Sequence, residues 1–176
     1  MDILDCAFEE FSAVAQRLET LQEYKIYDTS EYVEFKKFMA GEHIEGFANQ
    51  GWINDVATWR ANGKIIERIR VIPEQVTDYF IYESRWCYPR NISAGESILM
   101  VNQKLYDEAK KRFGVSEKDV WMFDQKEMIE LKYTAEFEYK DCCQIINRES
   151  KQNLEQLYAF LKEKAVTYSA WREDVR

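Results

Sequence analysis

Glycine and proline are scarce in this chain of 176 residues. Six glycines and two prolines leave no stretch composed like a flexible linker, and no repeat or low-complexity tract is present. Histidine is scarcer still: a Ser-His-Asp or Cys-His pair would have to use His43, and no GxSxG, HExxH, GxGxxG or Walker A spacing occurs. The cysteines are Cys6, Cys87, Cys142 and Cys143, with no CxxC pair and no zinc-ligand spacing. They predict reduced thiols, no structural metal and no cofactor. No apolar run approaches the ~20 residues of a membrane span. The N-terminus, Met1-Asp2-Ile3-Leu4-Asp5, is acidic where a secretory leader is basic. The two observations predict a cytoplasmic protein that does not engage a membrane. Basic residues are also in deficit, 24 Lys and Arg against 32 Asp and Glu, giving a net charge of −8. That argues against an extensive nucleic-acid surface, which needs clustered cations.

What is present is an ordinary globular mix rich in aromatics: 46% apolar residues, with 5 Trp, 11 Tyr and 10 Phe. The length suits one domain, residues 1–176, with a helical N-terminal part over 1–63 and a sheet-containing core over 64–176. Phe8, Phe11, Val14, Leu18 and Leu21 recur at helical spacing and predict a first amphipathic helix. A second helix follows the capping residues Asp28 to Ser30 and ends at Gly41; a third, around Trp52, Val56 and Trp59, stops at Asn62-Gly63. Lys64 to Ile72 is β-branched and apolar on both faces, which predicts a strand in the interior of a sheet. Val76 to Trp86 fits a helical face, although its aromatic density leaves a strand open. Further strands are predicted at Ser97–Asn102, Val120–Asp124, Glu127–Tyr133 and Phe137–Ile145. Between the first two of these runs a short helix over Leu105–Phe113. A long helix, with Leu154, Leu157, Tyr158, Leu161, Ala165 and Tyr168 on one stripe, closes the chain. The architecture is α/β or α+β: N-terminal helices, a mixed sheet of about five strands with a β-α-β-β-β core, and a long C-terminal helix.

Arg68 and Arg70 are the sharpest chemical feature. Two apart on a strand, they share a face, and burial there obliges them to find partners. Glu83, on the next element, and Glu96, at the turn into the following strand, are the nearest in sequence. A β-α-β unit places its two strands side by side, which brings the four together as a polar or anion site. Such a set is either a structural ion-pair network or a cleft for a phosphate or carboxylate. Tyr79, Asn91 and Asp124 are secondary candidates, and no residue is assigned a catalytic role.

Several of these residues also carry a resemblance. Arg17-Leu18-Glu19-Thr20 with Tyr24, Phe38-Met39-Ala40-Gly41-Glu42, Trp52, Gly63, Glu67 to Pro73, Asp78-Tyr79, Glu83, Asn91, Ala94-Gly95-Glu96 and Val120 to Asp124 occur in an order that resembles a domain-of-unknown-function family, number 6879, abundant in actinomycetes. It covers about residues 8 to 170. Many genes of that family lie near helix-turn-helix regulators, which implies a bacterial, regulatory setting; no activity comes with it. The order of strands and helices is also similar, more faintly, to a phospholipase D-like fold, but its His-x-Lys signature is missing, since His43 is followed by Ile44-Glu45. Two functions are compatible with these readings. One is a non-catalytic regulatory or binding domain with a regulatory protein or small anionic ligand as partner. The other is an enzyme acting on an anionic substrate through carboxylates and arginines.

Overall fold

The computed structural model describes residues 2–27, 29–116 and 118–174. Among these, one mixed seven-stranded sheet organises the chain. Its strands are β1 (Val14–Glu19), β2 (Ile65–Ile72), β3 (Ser97–Asn102), β4 (Asp119–Phe123), β5 (Glu127–Tyr133), β6 (Tyr139–Gln144) and the two-residue β7 (Val166–Thr167). Their order is β6-β5-β4-β1-β2-β3-β7, with β1, β2 and β3 parallel and the rest antiparallel to their neighbours. The predicted α/β class is therefore observed, with more strands than the predicted five. β2 is paired on both sides and buried from Ile66 to Val71, as its apolar run implies.

The N-terminal segment departs from the sequence reading. The helix α1 covers only Ile3–Glu10, and the chain then enters β1 at the middle of the sheet. The sheet thus begins at Val14 and not at Lys64, and residues 1–63 are not all helical. Phe8, Phe11, Val14 and Leu18 do recur at helical intervals, but residues 14–19 also alternate. Val14, Gln16 and Leu18 fall on one face, and Ala15, Arg17 and Glu19 on the other. Two flanking strands satisfy the backbone of β1 along its length, and that pairing overrides the local preference. The C-terminal stripe is also interrupted. The helix α7 runs over Arg148–Lys164, and Tyr168 opens a separate helix α8 (Tyr168–Asp174) after β7.

The remaining helices follow their sequence signals. α2 (Ser30–Ala40) starts with the Thr29 hydroxyl accepting from Tyr32 N–H and ends at Gly41 in the left-handed region. α3 (Gln50–Ala61) and α6 (Gln103–Phe113) connect to β2 and β4. Between β2 and β3 lies one helical stretch of three parts: α4 (Asp78–Tyr82), a π-helical turn at Glu83–Cys87, and α5 (Tyr88–Ala94). In the π turn the Tyr88 N–H donates to the Glu83 carbonyl, five residues back. Pro89, with no N–H to give, follows directly. Gly95 joins α5 to β3 at φ 111°, where a Cβ would sit 2.7 Å from Cγ of Arg60, so only glycine fits this corner.

The sheet divides the molecule into two layers. α6 and α7 cover one face, burying Leu18, Ile69, Val71, Val120, Met122 and Met128 against Tyr106, Leu154, Leu157 and Leu161. The other face carries Ala15, Ile66, Trp121 and Ile129 under α1 and α3, and Ile98 and Met100 under α4 and α5. Toward the carboxyl ends of β1 and β2 this second face changes from apolar to charged.

Candidate functional site

Strand register builds the site. β1 and β2 run parallel with Arg17 opposite Arg68 and Glu19 opposite Arg70, so four charged side chains rise from one face in two adjacent rows. Glu19 is the hub. Arg68 Nη1 lies 2.8 Å from its Oε2, Arg17 Nη2 3.2 Å from its Oε1, and Arg70 Nε 3.8 Å from Oε2. The Tyr88 hydroxyl lies 3.3 Å from both Glu19 Oε2 and Glu83 Oε2, with one proton to share between them. Arg68 Nε reaches Glu96 Oε1 at 2.8 Å, and Trp52 Nε1 donates to the other oxygen of that carboxylate at 3.1 Å. Arg70 Nη2 lies 3.2 Å from Glu83 Oε2, and its Nη1 donates to the Leu21 carbonyl. Arg17 forks onto Asp119 through Nε and Nη2, both at 3.2 Å, and Tyr24 donates its hydroxyl to the same carboxylate.

The inner members of the network are buried. Arg70 is fully buried, Glu19 is 1% exposed and Glu83 5%. Burial alone would raise the Glu19 carboxyl, but the guanidiniums of Arg17, Arg68 and Arg70 hold it well below the usual carboxylate range. Glu83 goes the other way. Burial and then the charge of Glu19 outweigh Arg70, and its carboxyl is pushed up to about 7. The two carboxylates share one set of cations, so the proton settles on the less well-paired member. Burial also raises the phenols of Tyr24, Tyr79 and Tyr88 well above their ordinary value, which keeps them as neutral donors.

The network forms the floor of a cleft of about 430 Å³ over the carboxyl ends of β1 and β2. Arg17, Glu19, Arg68, Glu83 and Asn91 line its base. Phe8, Trp52 and Trp121 form one aromatic wall, with Phe8 and Trp121 edge-to-face at 4.9 Å and Trp52 5.8 Å from Trp121. Tyr24, Tyr79 and Tyr133 form another, with Tyr24 5.9 Å from Tyr79 and 5.4 Å from Tyr133. Glu31, in the first turn of α2, stands beside Tyr79, whose hydroxyl lies 3.5 Å away; burial raises its carboxyl.

The structure thus brings Arg68, Arg70, Glu83 and Glu96 into one polar network, and it places Tyr79 and Asn91 on the cleft. Asp124 stands apart. It sits at φ 52° in the β4–β5 turn, and its carboxylate accepts from the N–H groups of Ser12, Ala13 and Val14 and from the Ser12 hydroxyl at 2.7–2.8 Å. It pins the entry to β1 and does not line the cleft. His43 is exposed on the α2–α3 loop, away from the cleft lining. Arg17, Glu19, Tyr24, Tyr88, Asp119 and Glu31 were not legible as site residues. For the first two a signal existed: Arg17 and Glu19 are two apart, the same spacing as Arg68 and Arg70, and the helical reading of residues 8–21 masked it.

Among the described residues, no helix is long and apolar enough to cross a membrane, and no group of His, Cys, Asp and Glu could hold a metal ion. Fold and site together define a mixed α/β protein whose aromatic-walled, charged cleft lies at the carboxyl ends of parallel strands, where open α/β sheets hold their ligands. The chain belongs to the family described as a domain of unknown function (DUF6879), whose model matches residues 2–173. No curated protein matches it.

Proposed function

We propose that this protein is a small-molecule-binding domain of regulatory type, and that the cleft above Glu19, Arg68 and Glu83 is its ligand site. The observation that carries the reading is the concentration of buried charge at the base of an accessible cleft. A buried ion network adds little net stability compared with apolar packing. Here it occupies the carboxyl ends of the parallel strands, with aromatic walls on two sides, while the opposite face of the same sheet is mainly apolar, with Glu67 its main polar element. Concave sites with aromatic walls and few convergent polar groups are the usual form of ligand pockets. Charge placed there serves recognition better than it serves folding.

The experiment is a fragment screen followed by the five indole N–H resonances. Trp52 and Trp121 line the cleft, whereas Trp86 and Trp171 pack in a different cluster around α4 and α8. Binding in the cleft shifts the Trp52 and Trp121 signals together and leaves Trp171 in place. A set of fragments that moves only Trp171, or none of the five, contradicts the reading.

A second reading is favoured by one observation. Glu83 lines the cleft, opens a π turn of a kind frequent at functional sites, and has its carboxyl raised to about 7. A carboxyl so poised is suited to general acid–base work. In this reading the domain is an enzyme, Glu83 exchanges a proton with the bound molecule, and Arg68 and Arg17 hold the surrounding carboxylates in place. Turnover that survives Glu83→Gln unchanged would exclude it.

A further inference from the structure

Given that the cleft is a ligand site, we infer that its ligand is a planar molecule presenting N–H donors on a neutral or cationic edge, of the class of aromatic amidines and amino-substituted heterocycles, and that Asn91 and Glu31 receive those donors. The inference deepens the binding reading and rests on it.

One acceptor beside the base of the cleft is left without a donor. Asn91, on α5, is 6% exposed and lines the cleft, and its side-chain carbonyl Oδ1 is buried with no hydrogen-bond partner. Buried amide carbonyls are nearly always paired, because an unpaired one forfeits its hydration without return. Asn91 lines the cleft, so a turn of its amide toward the cleft would let an N–H from a bound molecule restore the missing bond. Glu31 supplies a second acceptor at the rim.

The bases at the cleft are already matched. Arg17, Arg68 and Arg70 are held by Glu19, Glu83, Glu96 and Asp119, and Lys25 at the rim pairs with Glu23 at 3.0 Å, whereas Glu31 stands beside Tyr79 and Asn49. Each guanidinium already donates within the network: Arg17 to Asp119, Arg68 to Glu19 and Glu96, Arg70 to Glu83. An anion entering the cleft has to displace a carboxylate from Arg17, Arg68 or Lys25 before it is recognised. A donor edge displaces nothing.

The walls favour a flat cation or heterocycle as well. Trp52, Tyr24 and Tyr133 are part-exposed on the cleft, and the buried Trp121 and Tyr79 complete its aromatic lining. Two of these rings already hold a cation: the Arg17 guanidinium carbon lies 5.5 Å from the Tyr24 centroid and 5.7 Å from that of Trp121. Ring faces attract a planar cation by the same electrostatics.

The test compares three probes of one shape on the whole chain: benzamidine, benzamide and benzoate, read by the indole N–H shifts of Trp52 and Trp121. Fragments of this size reach millimolar affinity when they fit. Benzamidine binds saturably and roughly tenfold more tightly than benzoate, with benzamide between them. Asn91→Leu, and independently Glu31→Gln, removes most of that preference; Glu31 is only partly buried, so its variant serves if Asn91→Leu does not fold. Benzoate binding at Trp52 and Trp121 as tightly as benzamidine overturns the ligand class and leaves the cleft as a binding site. Benzamidine binding that both variants retain in full overturns the roles of Asn91 and Glu31. No saturable shift with any of the three overturns the inference, and if the fragment screen is equally silent the binding reading falls with it.

Discussion

On one side of the sheet Leu18, Ile69, Val71 and Val120 pack under α6 and α7; on the other, the same strands present Arg17, Glu19, Arg68 and Arg70. The two faces are one residue apart along each strand, yet they hold opposite chemistry. The first face is close to a dry apolar core. Its main polar element is Glu67, which accepts from Gln16 and Tyr158 at 3.1 Å and pairs with the half-exposed Lys162 at 2.8 Å. The second face buries a chain of ion pairs and then opens to a cleft. Burial of apolar area stabilises in proportion to area, whereas a buried ion pair must first recover its desolvation. Apolar packing holds the face under α6 and α7; the second face also buries apolar clusters under α1 and α3 and under α4 and α5, and only at the carboxyl ends of β1 and β2 does packing give way to ion pairs.

The sharpest break of that comparison is Arg70→Ala. It leaves Glu83 and Glu19 facing each other across a dry gap, and breaking a buried pair from one side costs about 3–5 kcal/mol. Chemical denaturation should show a loss of that size; a loss under about 1 kcal/mol would mean the network is wetter than its burial indicates. Leu157→Ala is the counterpart on the apolar face. It removes a fully buried side chain from the α7 stripe and should cost about 2–5 kcal/mol. Its Trp52 and Trp121 indole signals and any fragment binding should stay unchanged, which the Arg70 variant should not match.

Glu83→Gln gives a smaller and pH-dependent effect. The folded-state value of Glu83 lies above the ordinary 4.5, so its contribution is complete below that value and is lost as pH rises through about 7. Glu19 is shifted downward, so its contribution is complete above the ordinary range and is lost only in acid. The interval between about 5 and 7 therefore separates Glu83 from Glu19, and Glu31, also raised, acts alike in both proteins. The wild-type melting temperature should fall across it more steeply than that of Glu83→Gln, by the equivalent of up to about 3 kcal/mol. Parallel profiles for the two proteins would show that Glu83 is not the group that holds the proton. The smallest effect is expected from Glu67→Gln, where Lys162 is half exposed and solvent screens the pair: below about 1 kcal/mol.

The comparison also explains what was legible in the sequence. β2 was readable because Ile65, Ile66, Ile69, Val71 and Ile72 enforce a strand whatever surrounds them, and Arg68 and Arg70 then had to share a face. Glu83 and Glu96 followed from the right-handed β-α-β connection, which sets β3 beside β2. β1 was not readable. Six residues with Val14 and Leu18 four apart satisfy a helical pattern as well as an alternating one, and the choice is made by pairing with β2 and β4, some fifty and a hundred residues distant. With β1 misread, Glu19 could not be seen as the hub, nor Arg17 and Asp119 as its neighbours. Asp124 was drawn in by its turn-forming context, and that local role, capping the entry to β1, is the one it has. Asn91 stood out by resemblance alone. That its carbonyl is left without a partner is a property of the fold, since it depends on where α5 lies above the sheet.

The central claim is that polar groups on the cleft face are kept for a ligand and not for stability, and Asn91→Leu tests it most directly. Denaturation and benzamidine titration are measured on the same variant. The account predicts that stability is unchanged or rises, because an unpaired buried carbonyl is replaced by an apolar side chain of similar size, while the Trp52 and Trp121 response to benzamidine is largely lost. A variant that is destabilised by several kcal/mol yet binds benzamidine as the wild type does would contradict it.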